Sequence, residues 1–248
     1  MCTDKCDRDL LAIRAAMIFV LTDSGRILRK NNPDNAAGPR FHLAISTSGS
    51  IARIRQDVSE KTARAIESLV AGEPALRHPD STPVHLHDYL RLLAAEAPVE
   101  RHDMGLIWTF PDRLEYEHSA ALVGSATREG DRLLARLAER GMPEALVALG
   151  FVDVDELWAP WCVALHGDEI ASIALTVGLG PASAEVGVTT VPEFRGRGFA
   201  AAATAGWASL PAQSERILFY STDRTNVSSQ RVTQRLGLRF IGTSLTIS

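Results

Sequence analysis

The sequence predicts an α/β protein of the α+β kind, with helices flanking a mixed, mostly antiparallel sheet. Two observations carry this. Trp161–Leu179 reads as an antiparallel hairpin, two apolar or alternating runs around the turn His166-Gly167-Asp168. After it, strand, helix, strand, helix and strand follow with little chain between them, the pattern of a mixed rather than a purely parallel sheet.

The elements follow in order. Asp7 to Ala16 has helical apolar spacing, and Met17–Leu21 then reads as a strand ending at Asp23-Ser24-Gly25. "NNPDNAAGPR" (Asn31–Arg40) is a loop of breakers before a short strand at Phe41–Ile45. Ile51–Ala71 carries helical periodicity, with Ile54, Val58, Ala65, Ile66 and Leu69 on one face. A helix over Val84–Ala97 and a strand over Gly105–Phe110 come next, and Pro111-Asp112 is the expected boundary between halves. Arg128–Leu149 gives two helical runs split at Gly141-Met142-Pro143. "AEVGVTTV" (Ala184–Val191) is a strand, Gly196–Leu210 a helix and Arg216–Thr222 a buried strand. Ser228–Leu236 is a helix closed by Gly237, and Arg239–Ile247 the last strand.

Composition narrows the function. The chain has 248 residues, 46% hydrophobic and 23% charged, enough for a real core in one large domain or two small ones. A net charge of −4 provides no basic field for nucleic acid or an anionic membrane. "LLAIRAAMIFVL" is interrupted by Arg14, is too short to span a bilayer and lacks a signal-peptide cleavage pattern, so the cytoplasm is the expected compartment. Cys2, Cys6 and Cys162 are too few for a disulfide framework. Cys2 and Cys6 have no further ligands close in sequence, and no metal is expected. His85 and His87 lie two apart on a helix start and do not share a face. Neither a G-x-S-x-G elbow nor a P-loop occurs.

"TVPEFRGRGFA" (Thr190–Ala200) concentrates the chemistry. A glycine-rich strand-to-helix turn exposes N–H groups at the positive end of a helix dipole, an anion site. Gly196 and Gly198 allow phosphate oxygens to approach the backbone, Ala200–Ala203 keep the first turn thin, and Arg195 and Arg197 add positive charge. Two other readings stand beside this one. Arginine is the chain's habitual cation, and many such turns bind nothing. "GRGFAA" also satisfies the dinucleotide fingerprint, but too few residues follow it for a long parallel sheet, and the acidic residue about twenty positions on is missing.

The same stretch resembles the acyl-CoA-binding motif R/Q-x-x-G-x-G/A of the GNAT superfamily of N-acyltransferases, with Arg195, Gly198 and Ala200 in the key places. "STDRTNVSSQRVTQRLGL" (Ser221–Leu238) resembles that superfamily's next motif, an asparagine leading into a helix that ends in Leu-Gly. The resemblance covers about 158–247 well and 114–157 loosely. It implies a GNAT-like sheet splayed between its fourth and fifth core strands, with Val186–Val191 leaving Arg216–Thr222. Acetyl-CoA, as co-substrate, would lie in that fork. Its pantetheine would pair with the backbone of Thr189, Thr190 and Val191, and its diphosphate would rest on the turn from Arg195 through Gly196, Arg197, Gly198, Phe199 and Ala200. Asn226 and Ser229 would touch the pantetheine region; Asn226 is also a natural N-cap.

Acetyl transfer needs a base for the amine proton, a donor for the oxyanion and an acid for the thiolate. The tyrosine that many relatives use as acid is replaced here by Thr233. Glu185 and Tyr220 are the candidate bases. The first reads equally as a solvated strand-end residue and the second as core. Residues 1–112 carry no motif and are expected to form a small α/β lobe walling the acceptor site, with 113–248 as the transferase domain. Leu106–Thr109 or Met17–Leu21 could instead supply a strand to that domain. The expected activity is transfer of an acetyl group to a primary amine of a small molecule or peptide by direct attack in a ternary complex. A non-catalytic acyl-CoA sensor is the alternative, and a homodimer is compatible with the sequence.

Overall fold

In the computed structural model, which describes residues 5–248, the chain begins with α1 (Asp7–Ile18), β1 (Phe19–Leu21), β2 (Ile27–Lys30), β3 (Phe41–Ser46) and β4 (Gly49–Ile54). α2 (Glu60–Ala71), α3 (Leu86–Ala94) and β5 (His102–Thr109) follow. The second half contains β6 (Ala121–Gly124), α4 (Arg128–Arg140), α5 (Glu144–Val147), β7 (Trp161–His166), β8 (Glu169–Leu179) and β9 (Ser183–Thr190). α6 (Phe199–Ala208), β10 (Ile217–Asp223), α7 (Val227–Arg235) and β11 (Arg239–Ile247) complete it.

One sheet takes up nine of these strands in the order β4-β3-β11-β5-β10-β9-β8-β7-β6, and β1–β2 form a separate hairpin. Every neighbouring pair in the large sheet is antiparallel except β9–β10. β5 lies between β10 and β11, so hydrogen bonding runs from the first half into the second across Pro111-Asp112.

Four clusters of buried side chains bind the layers. α6 and α7 cover one face of the sheet's centre through Ala201, Ala203, Trp207 and Val232, and α1 covers the other through Leu10, Leu11 and Met17. α2 and α3 cover β3, β4 and β11, and α4 covers β7 and β8. α6 is poor in side chains because it lies close to the sheet. A methyl added to Gly206 would stand 2.6 Å from Cys162 Sγ, far inside contact distance. The alanines expected to keep a phosphate turn thin therefore serve packing first, since Ala201, Ala202 and Ala203 are all buried.

Three expectations need correcting. Ile51–Ala71 is not one helix: Gly49–Ile54 pairs with β3 as β4, and the helix starts after Ser59, whose hydroxyl accepts from Thr62 N–H. Ile51, Ile54 and Val58 recur at a spacing that suits a helix face, but Ile51 and Ile54 bury themselves from a strand. Met17 and Ile18 extend α1 and leave only Phe19–Leu21 as strand. β2 and β6 were not foreseen, being four-residue segments with little alternation.

Among the described residues, no helix is long and apolar enough to cross a membrane. Among the described residues, no group of three or more His, Cys, Asp or Glu side chains is placed to hold a metal ion. Cys6 is exposed and free, Cys162 is buried and free, and Cys2 lies outside the described residues.

Candidate active site: a forked sheet with an anion turn

β9 and β10 run in parallel register from Ser183↔Ile217 to Val186↔Tyr220 and then part. Beyond that point β10 pairs only with β5, through Ser221↔Ile107 to Asp223↔Gly105, while Gly187–Thr190 stays with β8. The register of β8 shifts between Thr176 and Gly178, opposite Glu185 and Val186, where β9 takes its leave. A bulge adds local twist, and this one sits where β9 leaves β10. The fork lies between the fourth and fifth strands of the series β6, β7, β8, β9, β10.

Ladder alternation decides which backbone groups face the fork. Val191 N–H donates to Ala171 O, so Val191, Thr189 and Gly187 point toward β8. The Thr189 carbonyl also accepts from Ser172 Oγ. Val188 and Thr190 therefore present their N–H groups to the gap. Of the expected pantetheine-binding trio, only Thr190 directs its backbone N–H there, although Thr189 also borders the cavity; Val188, outside the trio, directs its N–H the same way. The signal was in the sequence as a period of two, but its phase is set by which edge β8 covers.

The turn after β9 matches the expectation more closely. Gly196 and Gly198 adopt φ of +78° and +91°, conformations that side chains resist. The first intrahelical bond of α6 runs from Ala202 N–H to Gly198 O. Among the described residues, the N–H groups of Gly196, Arg197, Gly198, Phe199, Ala200 and Ala201 have no hydrogen-bond partner. Six successive free donors at a helix start are an anion cradle. Arg195 borders the same cavity and donates from Nε to Thr190 O at 3.3 Å. Arg197 does not. Its guanidinium stacks over Phe194 and Phe199, 5.4 Å from each ring centroid, so it stiffens the turn and contributes only its backbone to the cradle.

Cradle and fork open into one cavity of about 540 Å³. Val188, Thr190, Gly198, Ala200, Tyr220 and Asn226 are among its walls, and α7 adds Ser229, Arg231 and Arg235. Among the described residues, no carboxylate borders it. Asn226 caps α7, its Oδ1 accepting from Ser229 N–H at 3.0 Å, and its Nδ2 has no partner among the described residues while the residue borders the cavity. The two roles expected for Asn226 are thus compatible. Arg231 and Arg235 were missed, because only the docking of α7 shows which way they face.

Tyr220 is buried, and its hydroxyl lies 2.7 Å from Ser229 Oγ on the cavity wall. Burial raises its pKa, only partly offset by Ser229, so the phenol stays protonated at neutral pH. That suits a proton donor and not the base expected. Thr233 is buried and turns its hydroxyl back to Gln230 O, outside the cavity.

Glu185 is on the other side of the sheet and is no solvated strand end. Arg14 of α1 grips it through Nε and Nη2 at 2.5 and 2.8 Å, and Ser221 Oγ donates to it at 2.6 Å. All three line a second cavity of about 430 Å³, with His42, Asp103, Asp223 and Lys30 also on its walls. Tyr220 and Ser221 are neighbours in one strand, so the two cavities approach each other across the sheet at the fork.

Residues 161–244 match the family of GNAT acetyltransferases. Among solved structures, a putative GNAT-family acetyltransferase from Novosphingobium aromaticivorans is 22% identical, with a TM-score of 0.41 over 60% of this chain and 65% of that one. The chain thus spans slightly under two thirds of that relative. A GNAT-family acetyltransferase from Colwellia psychrerythraea is 12% identical over 92% and 78%, with a TM-score of 0.45. A GCN5-related N-acetyltransferase-like protein from Streptococcus suis is 14% identical over 85% of each chain, with a TM-score of 0.44. No curated protein matches. The family match runs over the hairpin, the fork, the anion turn and the capped helix beyond it, so that this part of the chain is similar to GNAT acetyltransferases.

Proposed function

We propose that the protein is an acetyl-CoA-dependent N-acetyltransferase acting on a primary amine of a small molecule or peptide, by direct attack in a ternary complex. One observation carries the reading: a carboxylate-free cavity joins six unpaired N–H donors to the open edge of a forked sheet. The donor set fits the co-substrate. Amides of residues 196–201 suit a diphosphate, and Val188, Thr190 and Asn226 suit an amide-bearing arm.

When bound, acetyl-CoA supplies an activated acyl group on a thiol leaving group. The chain's own residues do the rest. A backbone N–H of Val188 or Thr190, fixed by the β8 ladder, is placed to stabilise an oxyanion. Tyr220, kept protonated by burial and oriented by Ser229, is placed to donate a proton to the leaving thiolate. Glu185 is spent on Arg14 and Ser221 and holds the closed end of the fork, so the amine proton leaves to water. The second cavity, walled largely by residues of the first half, is where the acceptor enters. Free Cys6 and Cys162 suit a reducing compartment, the cytoplasm.

Purified protein should be stabilised thermally by CoA and should release free thiol from acetyl-CoA in the presence of some member of an amine panel. Stabilisation without turnover across a broad panel would assign the non-catalytic acyl-CoA sensor instead. Absence of stabilisation at millimolar CoA would sink both readings.

A further inference from the structure

The α7 wall of the cavity carries more positive charge than a diphosphate cradle requires. Ser228, Arg231, Val232 and Arg235 fall on one face of α7 and border the cavity. Arg231 and Arg235 are four residues apart, a like-charge spacing that disfavours an isolated helix. Neither guanidinium has an ion pair or hydrogen bond among the described residues. The chain has 30 acidic against 26 basic residues, yet among the described residues no acidic side chain stands beside this pair in the cavity wall.

Their position is specific. Arg235 Nη1 lies 3.7 Å from where a methyl on Gly198 would stand, so its guanidinium reaches the rim of the amide cradle. The six free N–H groups and Arg195 already suffice for the two charges of a diphosphate. A surplus of two arginine forks matches a further phosphomonoester, a dianion of about −1.5 to −2 with three acceptor oxygens. In CoA such a group is the 3′-phosphate, carried on the ribose next to the diphosphate.

We propose that Arg231 and Arg235 recognise the 3′-phosphate of the nucleotide, so that the protein selects CoA esters over their 3′-dephospho forms. This rests on reading the cavity as the CoA site. The pair are specificity residues with no part in the acyl transfer itself.

Calorimetric titration of the full chain tests it, using CoA and 3′-dephospho-CoA at one fixed ionic strength, with R231Q, R235Q and the double variant beside the wild type. The wild type should bind CoA at least tenfold more tightly than dephospho-CoA. The double variant should lose that preference, weakening for CoA at least tenfold while its Kd for dephospho-CoA stays within twofold. Equal affinity of the wild type for both nucleotides overturns the assignment and leaves the CoA reading standing. A parallel loss for both nucleotides in the variants also overturns it, since the arginines would then be holding the diphosphate. If neither nucleotide binds the wild type, the CoA reading falls and this inference with it. Both arginines are exposed, so thermal melts of the variants should match the wild type.

Discussion

Ser221 Oγ donates to Glu185 Oε1 at 2.6 Å, joining β10 to β9 at the last turn of their shared register, and Arg14 Nη2 reaches both atoms from α1. The closed end of the fork is thus held by a helix of the first half. The ion pair is more than nine-tenths buried on both sides, so breaking it strands a charge. Arg14→Met should cost about 3–5 kcal/mol in urea unfolding. Arg14→Met combined with Glu185→Met should recover much of that loss. A single-variant loss below about 1 kcal/mol would show that the pair does not hold the fork.

Gly198 is the position where nucleotide binding and stability separate. A side chain there meets no atom nearer than 3.7 Å, but it must adopt a φ of +91° and project among the free amides. Gly198→Val should cost about 1–2 kcal/mol of stability from the left-handed backbone. It should also abolish the thermal shift with CoA. A folded variant that keeps its shift would remove the turn from the binding site.

Tyr220→Phe tests the proton donor. Loss of the hydroxyl should lower kcat about 10²-fold, the lower range for general acid catalysis, with little change in KM for acetyl-CoA. Ser229→Ala, which removes only the orienting partner, should have a smaller effect in the same direction. An unchanged kcat in Tyr220→Phe would mean that the thiolate departs unaided.

His42 predicts an acid limb in stability. Burial, with Arg14 and Arg53 close by, lowers its pKa from the usual 6.5 to about 3. Its ring packs on Phe19, Nδ1 lies 3.4 Å from Thr246 Oγ1, and Nε2 has no partner among the described residues. Between pH 6.5 and about 3 the unfolded chain takes up a proton that the folded chain refuses. Stability therefore falls as pH falls through that window, by up to about 1.4 kcal/mol per pH unit. His42→Gln should flatten that part of a urea-unfolding pH profile. A profile unaltered by the substitution would place the acid sensitivity elsewhere.

Local chemistry made the anion turn legible. Glycines with positive φ, a run of alanines and the arginine before them all sit within one short segment, and so does the capping asparagine of α7. Misreadings arose where two periodicities fit one segment, as at Ile51 and Ile54, or where a residue's partner came from far along the chain. Glu185 reads from the sequence as a candidate base or a solvated strand end, because its counter-ion, Arg14, is 171 residues away. Arg197 was read as a phosphate ligand because nothing in a linear string shows that Phe194 and Phe199 stack beneath it.

By itself the sequence determined the order of elements from Trp161 onward, the strained glycines and the run of unpaired amides that they create, because each depends on residues a few positions apart. Only the tertiary structure decided that β5 from the first half lies beside β10, that the backbone N–H of Val188 rather than that of Thr189 faces the gap, and that Tyr220 and Glu185 look to opposite sides of the sheet. Those outcomes follow from strand neighbours and ladder phase, and both are fixed by burial against partners that no local pattern encodes.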